Sequence, residues 1–274
     1  MRTLGTRLLL PFFAFGAAAA IPAAAAVRTE VVEYRDGDQI CEGFLAWDDG
    51  VKGKRPGVVV VHEWMGLNDY AKDRARQLAG LGYVAFAADI YGKGIRAKDA
   101  NEAGRLAGKF KGDLPLLRSR ARAAFDTLAK NPRVDVAKIF AMGYCFGGTT
   151  ALELARGGAP LAGVVSFHGG LATKNPADAK NVKGPVLVLH GAADPYVPPA
   201  EVAAFQKEMD DAKVDWQMVF YAGAVHAFTN PAAGNDPSKG AAYDAKRGLI
   251  WATDADGQIY VLRLDAASVA RKHL

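Results

Sequence analysis

Residues Gly143-Tyr144-Cys145-Phe146-Gly147-Gly148 stand between an apolar run, Lys138-Ile139-Phe140-Ala141-Met142, and a helix-like segment, residues 149–156. Glycine two residues to either side of a central residue permits a sharp strand-to-helix turn, which bulkier side chains would block. Such a turn pushes the central side chain out at the sheet edge. In the usual G-x-S-x-G form the central residue is serine, whereas here it is Cys145. A thiol at a helix N-terminus lies in the field of unpaired amides and the helix dipole, which favours thiolate. Cys145 is therefore a candidate nucleophile. The competing reading is a Gly-rich turn holding a buried structural cysteine.

The rest of the chain repeats the strand-then-helix alternation. Two strand-like stretches, residues 30–34 and 39–47, flank Asp36-Gly37, a hairpin turn. Gly57-Val58-Val59-Val60-Val61-His62 is a continuous apolar run, the pattern of a strand buried on both faces of a parallel sheet. Asn68 or Asp69 is placed to cap a helix through Ala71, Ala75, Leu78 and Ala79. Residues 83–88 read as the next strand, and helical stretches follow over 99–110 and 114–130. Beyond the Cys145 turn come strands over 161–167 and 185–189, a helix over 199–211 and a strand over 215–221. This alternation predicts an α/β fold with a mostly parallel central sheet flanked by helices.

Residues 1–26 have Arg2 and Arg7, an apolar stretch from Leu8 through Ile21, then Pro22 and an alanine run. These are the three regions of a cleaved signal peptide, and the apolar part is shorter than the ~20 residues of a membrane anchor. The expected product is periplasmic or secreted. Roughly 250 residues remain, suiting one α/β domain over residues 27–247. The net charge of +5 is modest, and no basic run is interleaved with aromatics, which argues against nucleic-acid binding. Two cysteines in an exported chain invite a disulfide, but a Cys41–Cys145 bridge would block the nucleophile and is not expected. No C-x-x-C or H-x-x-x-H spacing points to a metal, and no cofactor is implied.

A cysteine nucleophile needs a base, and the base needs an orienting carboxylate. On an open parallel sheet these come from loops at the carboxyl ends of strands. Asp194 follows Leu187-Val188-Leu189-His190-Gly191-Ala192-Ala193, and His226 follows the last apolar strand in Gly223-Ala224-Val225-His226. The order nucleophile, acid, histidine is that of α/β-hydrolases. His62, His168 and His190 compete for the base role but precede Asp194, against that order. His62 and His190 are better read as hydrogen-bonding neighbouring loop backbone. An oxyanion needs two donors: the Phe146 amide, next after the nucleophile, and the Trp64 amide in the loop after the four-valine strand. Glu63, directly after that strand, is placed to face the site.

His62-Glu63-Trp64-Met65-Gly66-Leu67-Asn68, Ala88-Asp89-Ile90-Tyr91-Gly92, the Cys145 turn, His190-Gly191-Ala192-Ala193-Asp194 and His226-Ala227-Phe228 together resemble the dienelactone hydrolase family of α/β-hydrolases. The resemblance spans residues 31–243. It implies a Cys145/His226/Asp194 triad that opens an enol lactone, with Glu63 holding the thiol in a resting position until substrate binds, and with Trp64 and Phe146 as oxyanion amides. Two departures stand out. The lactone hydrolases follow the histidine with serine and place an arginine four residues after it to grip the substrate carboxylate; here those positions are Ala227 and Asn230. Arg96, Arg105 and Lys109 are candidate substitutes for the missing cation. Members of the family usually end in a helix, whereas residues 248–274 form an atypical tail with Asp256-Gly257 between two apolar runs, a hairpin signal.

The expected activity is thiol-dependent cleavage of an ester or lactone through an acyl-enzyme, without a cofactor and without a stable membrane anchor once the signal is removed. The segment between Gly92 and Asp113 is placed to cover the site. Alternatives are a general small-ester carboxylesterase and a catalytically idle periplasmic binding protein on the same scaffold. The partner is a small ester or lactone, and a monomer is favoured.

Overall fold

The four valines Val58, Val59, Val60 and Val61 have no exposed surface, and they alternate between two separate cores. In the computed structural model, which describes residues 26–246 and the strands Leu249–Thr253 and Ile259–Arg263, they form the centre of an eight-stranded sheet. Of the expected signal segment, all but Ala26 lies outside the described residues. The strands are β1 (Val27–Asp36), β2 (Gln39–Asp48), β3 (Arg55–Val61), β4 (Val84–Ala88), β5 (Val134–Tyr144), β6 (Gly163–Phe167), β7 (Val186–Gly191) and β8 (Trp216–Tyr221), in the order β1-β2-β4-β3-β5-β6-β7-β8. All neighbours pair in parallel except β1 with β2 and β2 with β4. The expected α/β-hydrolase architecture is therefore what the chain adopts.

A strand with both faces covered requires helices on both sides. On one side α1 (Asp69–Gly80) lays Ala71, Ala75, Leu78 and Ala79 against Val58 and Val60. These are the apolar positions of the sequence pattern, although Asn68 caps by backbone position without a side-chain bond. On the other side α3 (Leu114–Ala129), α4 (Phe146–Arg156) and α5 (Pro199–Asp211) contribute Leu117, Phe125, Ala151, Leu154 and Phe205 to the core containing Val59 and Val61. Each buried valine contributes about 1.5–3 kcal/mol, so the alternation fixes which face meets which helix. The segment before α3 forms α2 (Ala100–Gly112), capped by the Asp99 carboxylate accepting from the Glu102 amide at 2.8 Å.

Two local readings shift. Asp36 pairs with Gln39, so the β1–β2 turn is Gly37-Asp38, one residue later than read, with Gly37 at φ 57°. β5 begins four residues before the apolar run because Val134 and Asp135 pair with Arg55 and Pro56. The tail residues pair as an antiparallel hairpin of β9 (Leu249–Thr253) and β10 (Ile259–Arg263), as the apolar runs predicted. The Asp256-Gly257 turn itself lies outside the described residues.

A charged cluster lies in the core beneath α4. The Arg156 guanidinium, 1% exposed, makes two 2.7 Å bonds to the Glu208 carboxylate, one of 2.9 Å to Glu153 and one of 2.9 Å to the Leu171 carbonyl. Glu153 also accepts from Arg118, which reaches Asp178. This cluster ties α4 to α3 and α5, and so anchors the helix that begins at Cys145.

Candidate active site

The Cys145 turn sits where β5 ends and α4 begins, and Cys145 has φ 54° and ψ −115°. Left-handed φ at a residue with a side chain is strained, so the surrounding backbone must hold it. A Cβ on Gly143 would clash with the Gly147 carbonyl, and one on Gly147 with the Val61 and His62 carbonyls. Those contacts are backbone against backbone and cannot be relieved by rotating a side chain. The Gly147→Ala variant is accordingly expected to be poorly soluble or inactive, read by soluble yield and residual esterase rate. A soluble variant of full activity would contradict this packing.

The Cys145 amide donates to the Phe167 carbonyl at 3.0 Å and to His168 Nδ1 at 3.1 Å. Because Nδ1 accepts, neutral His168 carries its proton on Nε2, which lies 2.7 Å from the Thr229 hydroxyl. Burial holds His168 well below its ordinary range. Thr229 in turn meets the Tyr70 hydroxyl at 2.8 Å, and its carbonyl accepts from Arg74 at 2.9 Å. Arg74 lies 5.0 Å over the Tyr70 ring and 5.6 Å over that of Tyr144. The backbone of the strained cysteine is thus connected by buried hydrogen bonds to the loop carrying His226.

His226 and Asp194 come together as expected, with Nδ1 2.8 Å from Oδ2 and the Asp194 side chain fully buried. The second Asp194 oxygen accepts from the Tyr196 amide at 2.9 Å. Two backbone bonds, from His226 to the Gly240 carbonyl and from Ala242 to the His226 carbonyl, hold the histidine loop. Burial alone would push the imidazole down. Hydrogen bonds to Asp194 and to the Cys145 thiol, and the charges of both, outweigh it and raise His226 to about 10. Since this lies above the ordinary value of 6.5, the stability gained from charged His226 is complete below pH 6.5 and is lost as pH rises towards 10. The melting-temperature gap between wild type and His226→Asn is expected to narrow across that window. A constant gap would contradict the raised value.

Glu63 lies at the end of β3, 7% exposed. Its Oε2 accepts a hydrogen bond from Asn230 Nδ2, and burial pushes its carboxyl up against the opposing influence of Asn230, His226 and Arg74. One of the two oxygens of this carboxylate, Oε2, is thus engaged by Asn230. Phe146 is the first residue of α4, whose amide has no acceptor within the helix. Trp64 is half-exposed in the following loop, where its carbonyl accepts from the Tyr91 hydroxyl at 2.8 Å. Tyr91 stacks on Phe110 of α2 at 5.4 Å and tilts against Phe146 at 5.4 Å, so the 92–113 segment reaches the site through Phe110.

The other histidines divide. His62 bonds loop backbone as read: Nδ1 lies 2.6 Å from the Glu63 carbonyl, and Nε2 accepts from the Ile90 amide at 3.2 Å. His190 differs, since its Nδ1 is buried without a hydrogen-bond partner while the ring packs edge-on against Phe220. Both cysteines are free thiols. Sequence reasoning missed Tyr91, Thr229, Tyr70 and Arg74. Only Tyr91 stood within a quoted motif, and nothing local marked the other three.

The dienelactone hydrolase family model matches residues 41–251. Protein usf of Aquifex pyrophilus is 30% identical over 73% of this chain and 87% of its own length. A Saccharolobus solfataricus protein named "Putative carboxymethylenebutenolidase" is 30% identical over 80% of this chain and 95% of its own. Among solved structures, a dienelactone hydrolase-like promiscuous phosphotriesterase from metagenomic libraries is 47% identical, with a TM-score of 0.78, covering 81% of this chain and 93% of its own.

Proposed function

Because this chain belongs to the dienelactone hydrolase family of the α/β-hydrolases, we propose that it cleaves an ester or lactone through a Cys145 acyl-enzyme. The observation that carries the reading is His226, bonded to Asp194 through Nδ1 and interacting with the thiol of Cys145. His226, bonded to Asp194 and raised to about 10, is the base that takes the thiol proton as Cys145 attacks. The thiolate attacks the carbonyl carbon, and the Trp64 and Phe146 amides stabilise the oxyanion. Collapse expels the alcohol or ring oxygen, which takes the His226 proton. His226 then removes a proton from water as it attacks the thioester, releasing acid and restoring the thiol. Asp194 keeps the ring oriented throughout.

Residues 1–26 would direct export, leaving the mature enzyme, favoured as a monomer, to meet small-molecule substrates in the periplasm or outside the cell. The test is hydrolysis of p-nitrophenyl acetate and of a dienelactone by the mature protein under reducing conditions. Turnover of both supports the lactonase reading, and turnover of the ester alone supports a broader esterase. Inactivity on both, with Cys145 unlabelled by a reactive ester, would favour the idle scaffold. The 47% identity to a promiscuous phosphotriesterase favours a second reading, a side activity on uncharged phosphotriesters. Release of p-nitrophenol from paraoxon, lost in Cys145→Ala, would support it; no release would remove it.

A further inference from the structure

The loop that carries the Trp64 amide is held by its carbonyls, all from one short segment. The Tyr91 hydroxyl donates to the Trp64 carbonyl at 2.8 Å and the Ala97 amide to the Met65 carbonyl at 3.0 Å. Arg96 donates through Nε to the Leu67 carbonyl. The loop also closes on itself, since the Gly66 amide bonds the Glu63 carbonyl at 3.2 Å. The Trp64 amide bonds to none of the described residues, which leaves it available to an oxyanion. Gly66 has φ 94°, a conformation that side chains rarely adopt. A Cβ there would stand 2.9 Å from Arg96 Cδ and 3.2 Å from the Ile95 carbonyl, so the glycine marks where the Arg96 stem crosses the loop.

Arg96 is anchored from behind. Its Nη1 pairs with Asp89 Oδ1 at 3.4 Å and donates to the Ile95 carbonyl at 2.6 Å. The Asp89 side chain has no exposed surface, and its carboxylate accepts from the Glu42 and Gly92 amides, both at 3.1 Å. Glu42 lies on β2 and Asp89 directly follows β4, so the guanidinium ties the Trp64 loop to the sheet. Donors turned onto two backbone carbonyls and a buried carboxylate are not aimed at a substrate. The two other cations placed to substitute for the missing arginine, Arg105 and Lys109, are exposed on α2, with the Lys109 ammonium 5.7 Å over the Phe110 ring.

We propose that Arg96 is a positioning residue for the oxyanion donor: by gripping the Leu67 carbonyl through Nε, it holds the 63–68 loop so that the Trp64 amide faces the charge developing on the substrate oxygen. The effect on rate rests on the hydrolytic reading, but the grip can be read without turnover. Arg96→Gln retains an N–H donor at the Nε position and loses the charge facing Asp89, whereas Arg96→Met retains only an apolar stem across Gly66. Ester hydrolysis draws on the oxyanion donor. Alkylation of Cys145 by iodoacetamide, which forms an S–C bond and expels iodide, does not.

Losing an oxyanion donor outright costs about a hundredfold to a thousandfold, so Arg96→Met, which only misaims one, is expected to slow p-nitrophenyl acetate hydrolysis by about tenfold or more. Iodoacetamide labelling of Cys145, with Cys145→Ala as the control for Cys41, should stay near the wild-type rate. Arg96→Gln should recover most of the hydrolysis. Hydrogen exchange in the peptide spanning 63–68 should quicken in Arg96→Met and return to the wild-type rate in Arg96→Gln. An Arg96→Met enzyme as fast as wild type overturns the proposal. So does one whose hydrolysis and alkylation fall together without recovery in Arg96→Gln, since Arg96 would then only support the fold. A loss confined to p-nitrophenyl hemisuccinate, with acetate hydrolysis unchanged, overturns it too, because Arg96 would then grip a substrate carboxylate. If the wild type turns over neither ester, the exchange comparison decides: quickening in Arg96→Met reversed in Arg96→Gln supports the grip while removing the hydrolytic reading, and equal exchange in all three removes both.

Discussion

Cys145→Ala is expected to lower kcat/KM for ester hydrolysis by about ten-thousand-fold or more, a loss of at least ~5 kcal/mol of transition-state stabilisation. The fold should survive, because the change only shortens a partly exposed side chain and leaves the amide that bonds Phe167 and His168 intact. Loss of rate with a melting temperature lowered only by the share of the His226 stabilisation that the thiol supplies is therefore the expected pair of results. His226→Ala should cost nearly as much, and the double variant little more. Groups that act as one unit are not additive. Additive losses would mean that Cys145 and His226 act in separate steps. A Cys145→Ala enzyme retaining more than about a tenth of the wild-type rate would remove the acyl-enzyme altogether.

The second large effect concerns stability. In Arg156→Met the Glu208 and Glu153 carboxylates lose the guanidinium that satisfies them, while Glu153 keeps Arg118. Burial already pushes the Glu208 carboxyl up even with Arg156 present. Breaking a buried ion pair from one side costs about 3–5 kcal/mol, which for a domain of this size lowers the melting temperature by roughly 10 °C. Removing the stranded charges as well, in Arg156→Met with Glu208→Met and Glu153→Gln, is expected to recover most of that loss, because apolar packing can replace a buried ion pair. Thermal denaturation of the two variants decides it. A shift below about 2 °C in the single variant would show that the cluster is better hydrated than its burial implies.

What the sequence made legible follows from how local each signal is. The four-valine run, the Gly-x-Cys-x-Gly turn and the order Cys145, Asp194, His226 depend on residues close together in the chain or on strand ends that the topology gathers. The contacts that local pattern could not show join distant residues. Glu63 meets Asn230 across 167 positions, Tyr70 meets Thr229 across 159, and Arg156 meets Glu208 across 52. Tyr70, Thr229, Arg156 and Glu208, taken alone, each read as ordinary polar residues, whereas Glu63 was placed at the site without its partner. Asn230 was visible only as a missing arginine, and its use in holding Glu63 emerges when the two loops meet. Helix α2 was legible from its periodicity, but its role was not, since that depends on Phe110 stacking on Tyr91 beside Phe146.

The most direct test of a Cys145 acyl-enzyme is to quench a reaction with p-nitrophenyl acetate within the first turnover and locate the label by peptide mass spectrometry. The account predicts one acetyl group, carried as a thioester on the peptide containing Cys145, removed by hydroxylamine and absent in Cys145→Ala. Rapid p-nitrophenol release with no acetyl on Cys145, or with the acetyl on another residue, would contradict it.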